Sequence, residues 1–257
     1  MTILQEHHHG SIVATLYAMG YKAKEMREIF KEYCGSIKYI EISNILKVIL
    51  SKVTGGNLKF DGLNKWRIIS NLVKKVGAKK GTYKITDIKM PIYIPSVDLS
   101  TGNLIVFTSA KKRKVFSDDI IYINDIDIAT AVRASCSYPG IFSPVRVKEL
   151  VLADGGIREN VPWSILKKSN CDYVFSIIFK EVSEKRECNN IFDIINTSFD
   201  LICRELANYE LNGADYLFEI NLPYVSLLDC SKVDELYILG YRQCKEYIRN
   251  NFNIFKL

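Results

Sequence analysis

The N-terminal third of the chain carries its apolar residues at helical spacing. Ser11–Met19 is small or apolar throughout and is followed by Gly20, which predicts a short buried helix with a glycine stop. From Lys22 to Cys34, the residues Ala23, Met26, Ile29, Phe30 and Tyr33 recur on one face among charges, and Gly35 ends the run. A further amphipathic stretch covers Ile42–Val53. Another sets Leu63, Trp66, Ile69, Leu72, Val73 and Val76 on one stripe, ended by Gly77. Single apolar stripes of this kind predict helices laid on a shared core.

After Met90 the texture changes to strands alternating with helices. Ile92–Leu99 and Leu104–Phe107 flank Ser100-Thr101-Gly102-Asn103, a hairpin signal. Ile126–Ser135 predicts a helix, Val147–Ala153 a strand halted by Asp154-Gly155-Gly156, and Pro162–Lys168 a helix. Tyr173–Phe179 is almost wholly apolar, as strands covered on both faces are. Ile191, Ile194, Ile195, Ile202 and Leu206 mark a long helix, Tyr216–Leu222 a strand, and Lys232–Ile248 a last helix. Strands separated by helices predict an α/β layered fold, and the absence of a repeat or a Pro/Gly linker predicts one domain.

Composition narrows the classes. The 257 residues are 48% hydrophobic and include 15 Tyr and 12 Phe, enough for a substantial core and incompatible with disorder. The Gly and Cys contents exclude collagen-like and disulfide-scaffold classes. A formal charge of +6, from 35 Lys and Arg against 29 Asp and Glu, is mild; it fits an anionic membrane surface or substrate and is no nucleic-acid footprint. Cys34, Cys136, Cys171, Cys188, Cys203, Cys230 and Cys244 stand singly without a CxxC pair, which reads as reduced thiols in a cytoplasmic protein with no zinc cluster. No apolar run approaches the roughly 18 residues of a transmembrane helix, and the N-terminus has no secretory pattern.

Three stretches carry candidate chemistry. In Val151–Pro162, Val151-Leu152-Ala153-Asp154-Gly155-Gly156 delivers a carboxylate to the C-terminal end of a strand, where α/β sheets place reactive groups. Alone, it reads as an ordinary Asx turn. Ala131-Val132-Arg133-Ala134-Ser135-Cys136-Ser137-Tyr138-Pro139-Gly140 breaks a small-residue helix into a Pro-Gly turn. Gly10-Ser11-Ile12-Val13-Ala14 is a glycine opening a small-residue helix, as follows a nucleophile elbow.

In this order the three stretches resemble the patatin-like phospholipase family, with support from Asp98-Leu99-Ser100-Thr101-Gly102 and from Val233–Tyr241. The resemblance runs from Gly10 onward. It implies a central, mostly parallel β-sheet flanked by helices in three layers, and a Ser-Asp dyad that cleaves lipid or phospholipid esters without a cofactor. Asp154 would be the catalytic aspartate, and Asp154, Gly155 and Gly156 the D-G-[AG] turn. The family's serine lies in a G-x-S-x-G elbow. Setting Gly10 at the last glycine puts Glu6 at the first, His8 at the serine and His9 at the small position, so His8 and Gly10 mark the elbow remnant.

Residues 1–9 are therefore expected to be an atypical segment replacing the oxyanion loop and elbow, with 10–257 an incomplete acyl hydrolase domain. Bulk at Glu6 and His9 is hard to fit where strand and helix approach closely. A lost oxyanion donor costs about 3–4 kcal/mol of transition-state stabilisation. Catalytic impairment is expected. Neither Ser11, inside the helix start, nor His8 is a good substitute nucleophile. His7-His8-His9 reads as a solvated tract that would bind metal only weakly, and Lys111-Lys112-Arg113-Lys114 as a solvated loop or a contact for anionic lipid. The alternative function is a non-catalytic lipid-binding or interaction protein that keeps the fold, peripheral at a membrane surface. A decayed, poorly folding gene product is the third reading.

Overall fold

The computed structural model describes residues 4–5, 10–34, 66–111, 119–139, 142–169, 171–181, 188, 191–223 and 231–251. The expected helix at Ile42–Val53, the segment Glu6–His9 and Lys112–Lys114 lie outside the described residues. Among the described residues the order is β1 (Leu4–Gln5), α1 (Gly10–Ala18), α2 (23–34), α3 (Trp66–Lys79), β2 (Tyr93–Asp98), β3 (Leu104–Thr108), β4 (Ile120–Ile123) and α4 (Ile128–Ser135). Then come β5 (Val145–Val147), β6 (Leu150–Asp154), α5 (Trp163–Lys168), β7 (Phe175–Glu181), α6 (Ile191–Glu210), β8 (Tyr216–Leu222) and α7 (Val233–Asn250). The fold is α/β.

The strands form two ladders. In the first, β7 pairs in parallel with both β1 and β8. The second runs β4-β3-β2-β6-β5, with β3–β4 parallel and the hairpin β2–β3 and the pairs β2–β6 and β5–β6 antiparallel. The parallel character expected from the family resemblance thus resides in the β1–β7–β8 ladder and the β3–β4 pair. The uninterrupted apolar run of β3 follows from burial on both faces. Ile105 and Phe107, with Ile94 of β2, enter a core shared with α1 to α4, whereas Leu104 and Val106, with Tyr93 and Val97, pack on Ile165 and Leu166 of α5 and on Val174.

Several boundaries differ from the sequence expectation. Val147–Ala153 is not one strand but the arms of a hairpin, β5 and β6, turning at Lys148, whose φ is +53°. Gly77 does not end α3, which continues to Lys79; the glycine is required because an added Cβ would lie 2.4 Å from the Thr82 carbonyl oxygen. The edge strand β4 was not anticipated. Among the described residues its four residues pair with β3 alone, and they are too few to show a period.

Polar links hold the helices in place around this core. The Tyr21 hydroxyl, just after α1, donates to the Val76 carbonyl of α3 at 2.8 Å. Asp234, in the first turn of α7, accepts from Arg27 and Lys31 of α2 at 2.7 and 2.9 Å. Buried Ala129, Ala131 and Ala134 let α4 lie close against β2, β6 and α3.

Candidate active site

Three elements meet where β6 ends. Asp154 is the last residue of β6, and its backbone N–H donates to the carbonyl of Ser137 at 3.0 Å, pinning the strand end to the exit of α4. The side chain is 4% exposed. One of its oxygens, Oδ1, accepts the N–H of Gly156 at 2.8 Å, so the Asx turn expected of an Asp-Gly-Gly sequence is present. Ser96, opposite Asp154 on β2, donates its hydroxyl to the Ala153 carbonyl at 2.6 Å and fixes the register at this level.

The glycines have separate reasons. A Cβ on Gly155 would fall 2.7 Å from both the carbonyl carbon and oxygen of Pro95, because the turn Gly155–Ile157 packs directly on the β2 backbone. A Cβ on Gly156 would stand 3.0 Å from Asn160 Oδ1 and 3.1 Å from Asp154 Oδ1, crowding the carboxylate itself. At Gly155 the obstacle is backbone and only glycine fits without moving the turn; at Gly156 the neighbours are side chains that can shift slightly.

Opposite the turn lies the start of α1. Gly10 is buried there, and the Ser11 hydroxyl lies 3.2 Å from Cys136 Sγ, the residue at the C-terminal end of α4. Cys136 in turn feels the charge of Asp154. Burial, chiefly, pushes the Cys136 thiol up to about 12, with Ser11 acting against the shift and Asp154 adding to it. Cys203, on α6, is likewise pushed to about 12 by burial and then by Asp154, Asp200 and Glu210, while its thiol donates to the Gly156 carbonyl at 3.8 Å. Thiols held protonated this strongly are poor nucleophiles.

Asp154, Gly155 and Gly156 form one turn, and Gly10 is linked to it through its neighbour Ser11, which reaches Cys136. His8, the other elbow position, lies outside the described residues. Cys136, Cys203, Asn160 and Glu210 were missed as members of this neighbourhood. Cys136 and Asn160 lie in the stretches singled out at Ala131–Phe142 and Val151–Pro162 but were given no role there, and Cys203 and Glu210 reach Asn160 and Val161 across long sequence separations. Among the described residues no three His, Cys, Asp or Glu side chains converge in a way that could hold a metal ion.

Asp98, from the Asp-Leu-Ser-Thr-Gly stretch, has a structural duty. Burial alone would raise its carboxyl, yet donations from the Thr101 hydroxyl, the Val151 N–H and the Ser100 hydroxyl and N–H hold it down to about 2. It closes the β2–β3 turn and ties it to β6. Arg158, just beyond the Asp154 turn, donates to the Gly102 carbonyl and pairs with Asp119.

Among the described residues no helix is long and apolar enough to cross a membrane. The chain is similar to the uncharacterized protein YqhO of Bacillus subtilis (strain 168), 25% identical over 222 residues that cover 79% of this chain and 72% of YqhO. The family model for patatin-like phospholipases matches residues 9–167, a span from just before α1 through the Asp154 turn to α5. More than half of the chain lies inside that match, so the protein belongs to the patatin-like phospholipase family, whose members are lipid acyl hydrolases acting on lipid esters.

Proposed function

We propose that residues 10–257 are an acyl hydrolase domain of the phospholipase A or esterase type in which Asp154 is the catalytic base, and that this chain turns over esters poorly because His8 stands where the dyad serine belongs. The observation that carries the reading is the placement of the Asp154 turn against the exit of α4, whose Cys136 reaches the Ser11 hydroxyl at the mouth of α1. An elbow nucleophile precedes such a helix, so an attacking group at position 8 would enter the same locality as the carboxylate.

Hydrolysis of a short-chain nitrophenyl ester tests this. The chain is expected to show little turnover, and a His8→Ser, Glu6→Gly, His9→Gly variant is expected to gain turnover that Asp154→Asn removes. Substantial turnover by the unaltered chain that Asp154→Asn abolishes would reveal a nucleophile other than the one assigned. A gain that persists after Asp154→Asn would remove Asp154 from the chemistry.

A second reading, lipid binding without turnover at a membrane surface, is favoured by the outward side chains of α6. Ile191, Ile194, Ile195, Leu201, Ile202 and Tyr209 are exposed at helical spacing. Salt-sensitive retention on liposomes, unaffected by Asp154→Asn, is the outcome it requires.

A further inference from the structure

The segment that follows Asp154 is fastened to α6 rather than to the sheet. Glu210, the last residue of α6, accepts the Val161 N–H on Oε2 at 2.6 Å, and the Asn160 N–H is a second donor to the same carboxyl. Asn160 Nδ2 donates to the Cys203 carbonyl at 2.9 Å, and Cys203 returns its thiol to the Gly156 carbonyl. Just beyond, the Trp163 ring lies so close over Gly213 that any Cβ there would overlap it. The last two turns of α6 and the turn after them therefore splint the stretch from Gly156 to Trp163.

One member of the splint is electrostatically strained. Glu159 and Glu210 are two carboxyl groups on either side of the same loop, and Glu210 stands at the C-terminal end of its helix, where backbone carbonyls disfavour negative charge. Burial is the main cause that pushes the Glu210 carboxyl up, to about 7, and the Glu159 charge adds to it; the Val161 and Asn160 N–H groups oppose the rise. Burial also raises Glu159, against the Ser164 hydroxyl bonded to it at 2.5 Å and the charges of Lys168 and Arg158, with Asp119 adding to the rise. From α6, Cys203 feels the charges of both Asp200 and Glu210.

We propose that Glu210 is a positioning residue for the Asp154 turn: a carboxyl clamp on segment 155–161 whose ionisation beside Glu159 loosens that segment and makes the placement of Asp154 depend on pH. This regulation of the site rests on the reading of Asp154 as the base. In the closed loop the carboxyl prefers its proton. In the opened loop it meets water and returns toward the ordinary carboxylate range. Opening must therefore become easier as pH climbs from about 4.5 and level off above about 7.

The test is backbone hydrogen exchange of the full chain between pH 5 and 8.5, corrected for intrinsic rates, with residues 155–163 read against the β2–β3 hairpin. In the native chain the opening equilibrium of 155–163 is expected to rise about tenfold or more and then plateau, with the hairpin unchanged. Glu210→Gln retains an acceptor for the Val161 N–H but cannot ionise, so its profile is expected to be flat; Glu159→Gln should move the plateau to lower pH. A Glu210→Gln profile that rises in parallel with the native one, or a native profile without a rise, overturns the proposal. Exchange is read without substrate, so turnover gained by the His8→Ser, Glu6→Gly, His9→Gly variant that persists after Asp154→Asn would sink the Asp154 reading while leaving the clamp standing, and a flat native profile would do the reverse.

Discussion

The two sides of the Asp154 turn are built differently. Toward the sheet, Ile94, Ile105, Phe107, Val132, Leu152 and their neighbours are almost wholly buried, and Asp154 itself is pinned by a backbone bond to Ser137. Toward the C-terminal helices, α7 has no buried residue, and α6 offers Cys203 and Ala207 inward while exposing a row of aliphatic side chains. One side is held by close packing, where deletion of buried volume is expensive. The other is held by a few polar bonds across a loop, each worth about 1 kcal/mol net. The Asp154 turn therefore rests on a rigid strand and leans on a support that can yield, the arrangement from which local opening is drawn.

The largest effect expected from this contrast is on the packed side. Phe107→Ala removes a ring that is 0% exposed between β2 and β4, and denaturant unfolding should report a loss of about 3–5 kcal/mol. A loss below about 1 kcal/mol would mean that the core around β3 is loosely packed, and the asymmetry would disappear. Next comes Gly155→Ala. Its Cβ must displace the β2 backbone at Pro95 or shift the Asp154 turn, at a cost of about 1–3 kcal/mol. The same substitution should lower any turnover that the His8→Ser variant acquires, because the carboxylate moves with the turn.

Acid stability separates two carboxylates: Asp98 of β2, which accepts from Val151 on β6, and Glu210 of α6, which accepts from Val161 beyond the Asp154 turn. Asp98 is depressed to about 2 in the folded chain, below its ordinary 3.8. Its contribution is therefore present above the unfolded value and lost as pH falls from near 4 toward 2. The difference corresponds to about 2 kcal/mol. Asp98→Asn should flatten that acid limb in pH-dependent thermal melts. Glu210 has the opposite sign, since its stabilising contribution is present below the ordinary carboxyl range and declines as pH rises toward 7. A native melting curve with an acid limb unchanged by Asp98→Asn would show that the β2–β3 turn does not depend on that carboxylate.

What could be read in the sequence divides along the same line. The packed side was legible because local patterns encode it. Leu104-Ile105-Val106-Phe107 is apolar on every position, as a strand covered on both faces must be, and Ser100-Thr101-Gly102-Asn103 announced a turn in which Gly102 has a φ of +75°. Asp154-Gly155-Gly156 stood out for a comparable reason, since two glycines after an apolar strand signal a close backbone approach. The β5–β6 turn was hidden because Lys148 and Glu149 are not turn formers, and the positive φ of Lys148 is imposed by the pairing on either side. On the α6 side the helix itself was legible from Ile191, Ile194, Ile195, Ile202 and Leu206, but its bonds to the loop after Asp154 were not. Glu210 and Val161 are 49 residues apart and Asn160 and Cys203 are 43 apart, and no periodicity links an acceptor to a donor across such a distance.

The smallest expected effect is the one that most sharply separates the outer surface of α6 from its inner one. Ile202 is 64% exposed, whereas Cys203, its immediate neighbour, is 8% exposed and bonds the Asp154 turn. Ile202→Ser should change unfolding free energy by less than about 0.5 kcal/mol, because little apolar area returns to water when an exposed side chain is shortened. Cys203→Ser, in contrast, places a hydroxyl among buried groups and near the Gly156 carbonyl, so its cost depends on how well the shorter side chain can still reach that acceptor. If the outer face of α6 meets lipid, Ile202→Ser combined with Ile194→Ser should also reduce retention on anionic liposomes with the fold intact. Full retention by that double variant would leave α6 as a splint alone, and the case for lipid binding without turnover would lose its structural support.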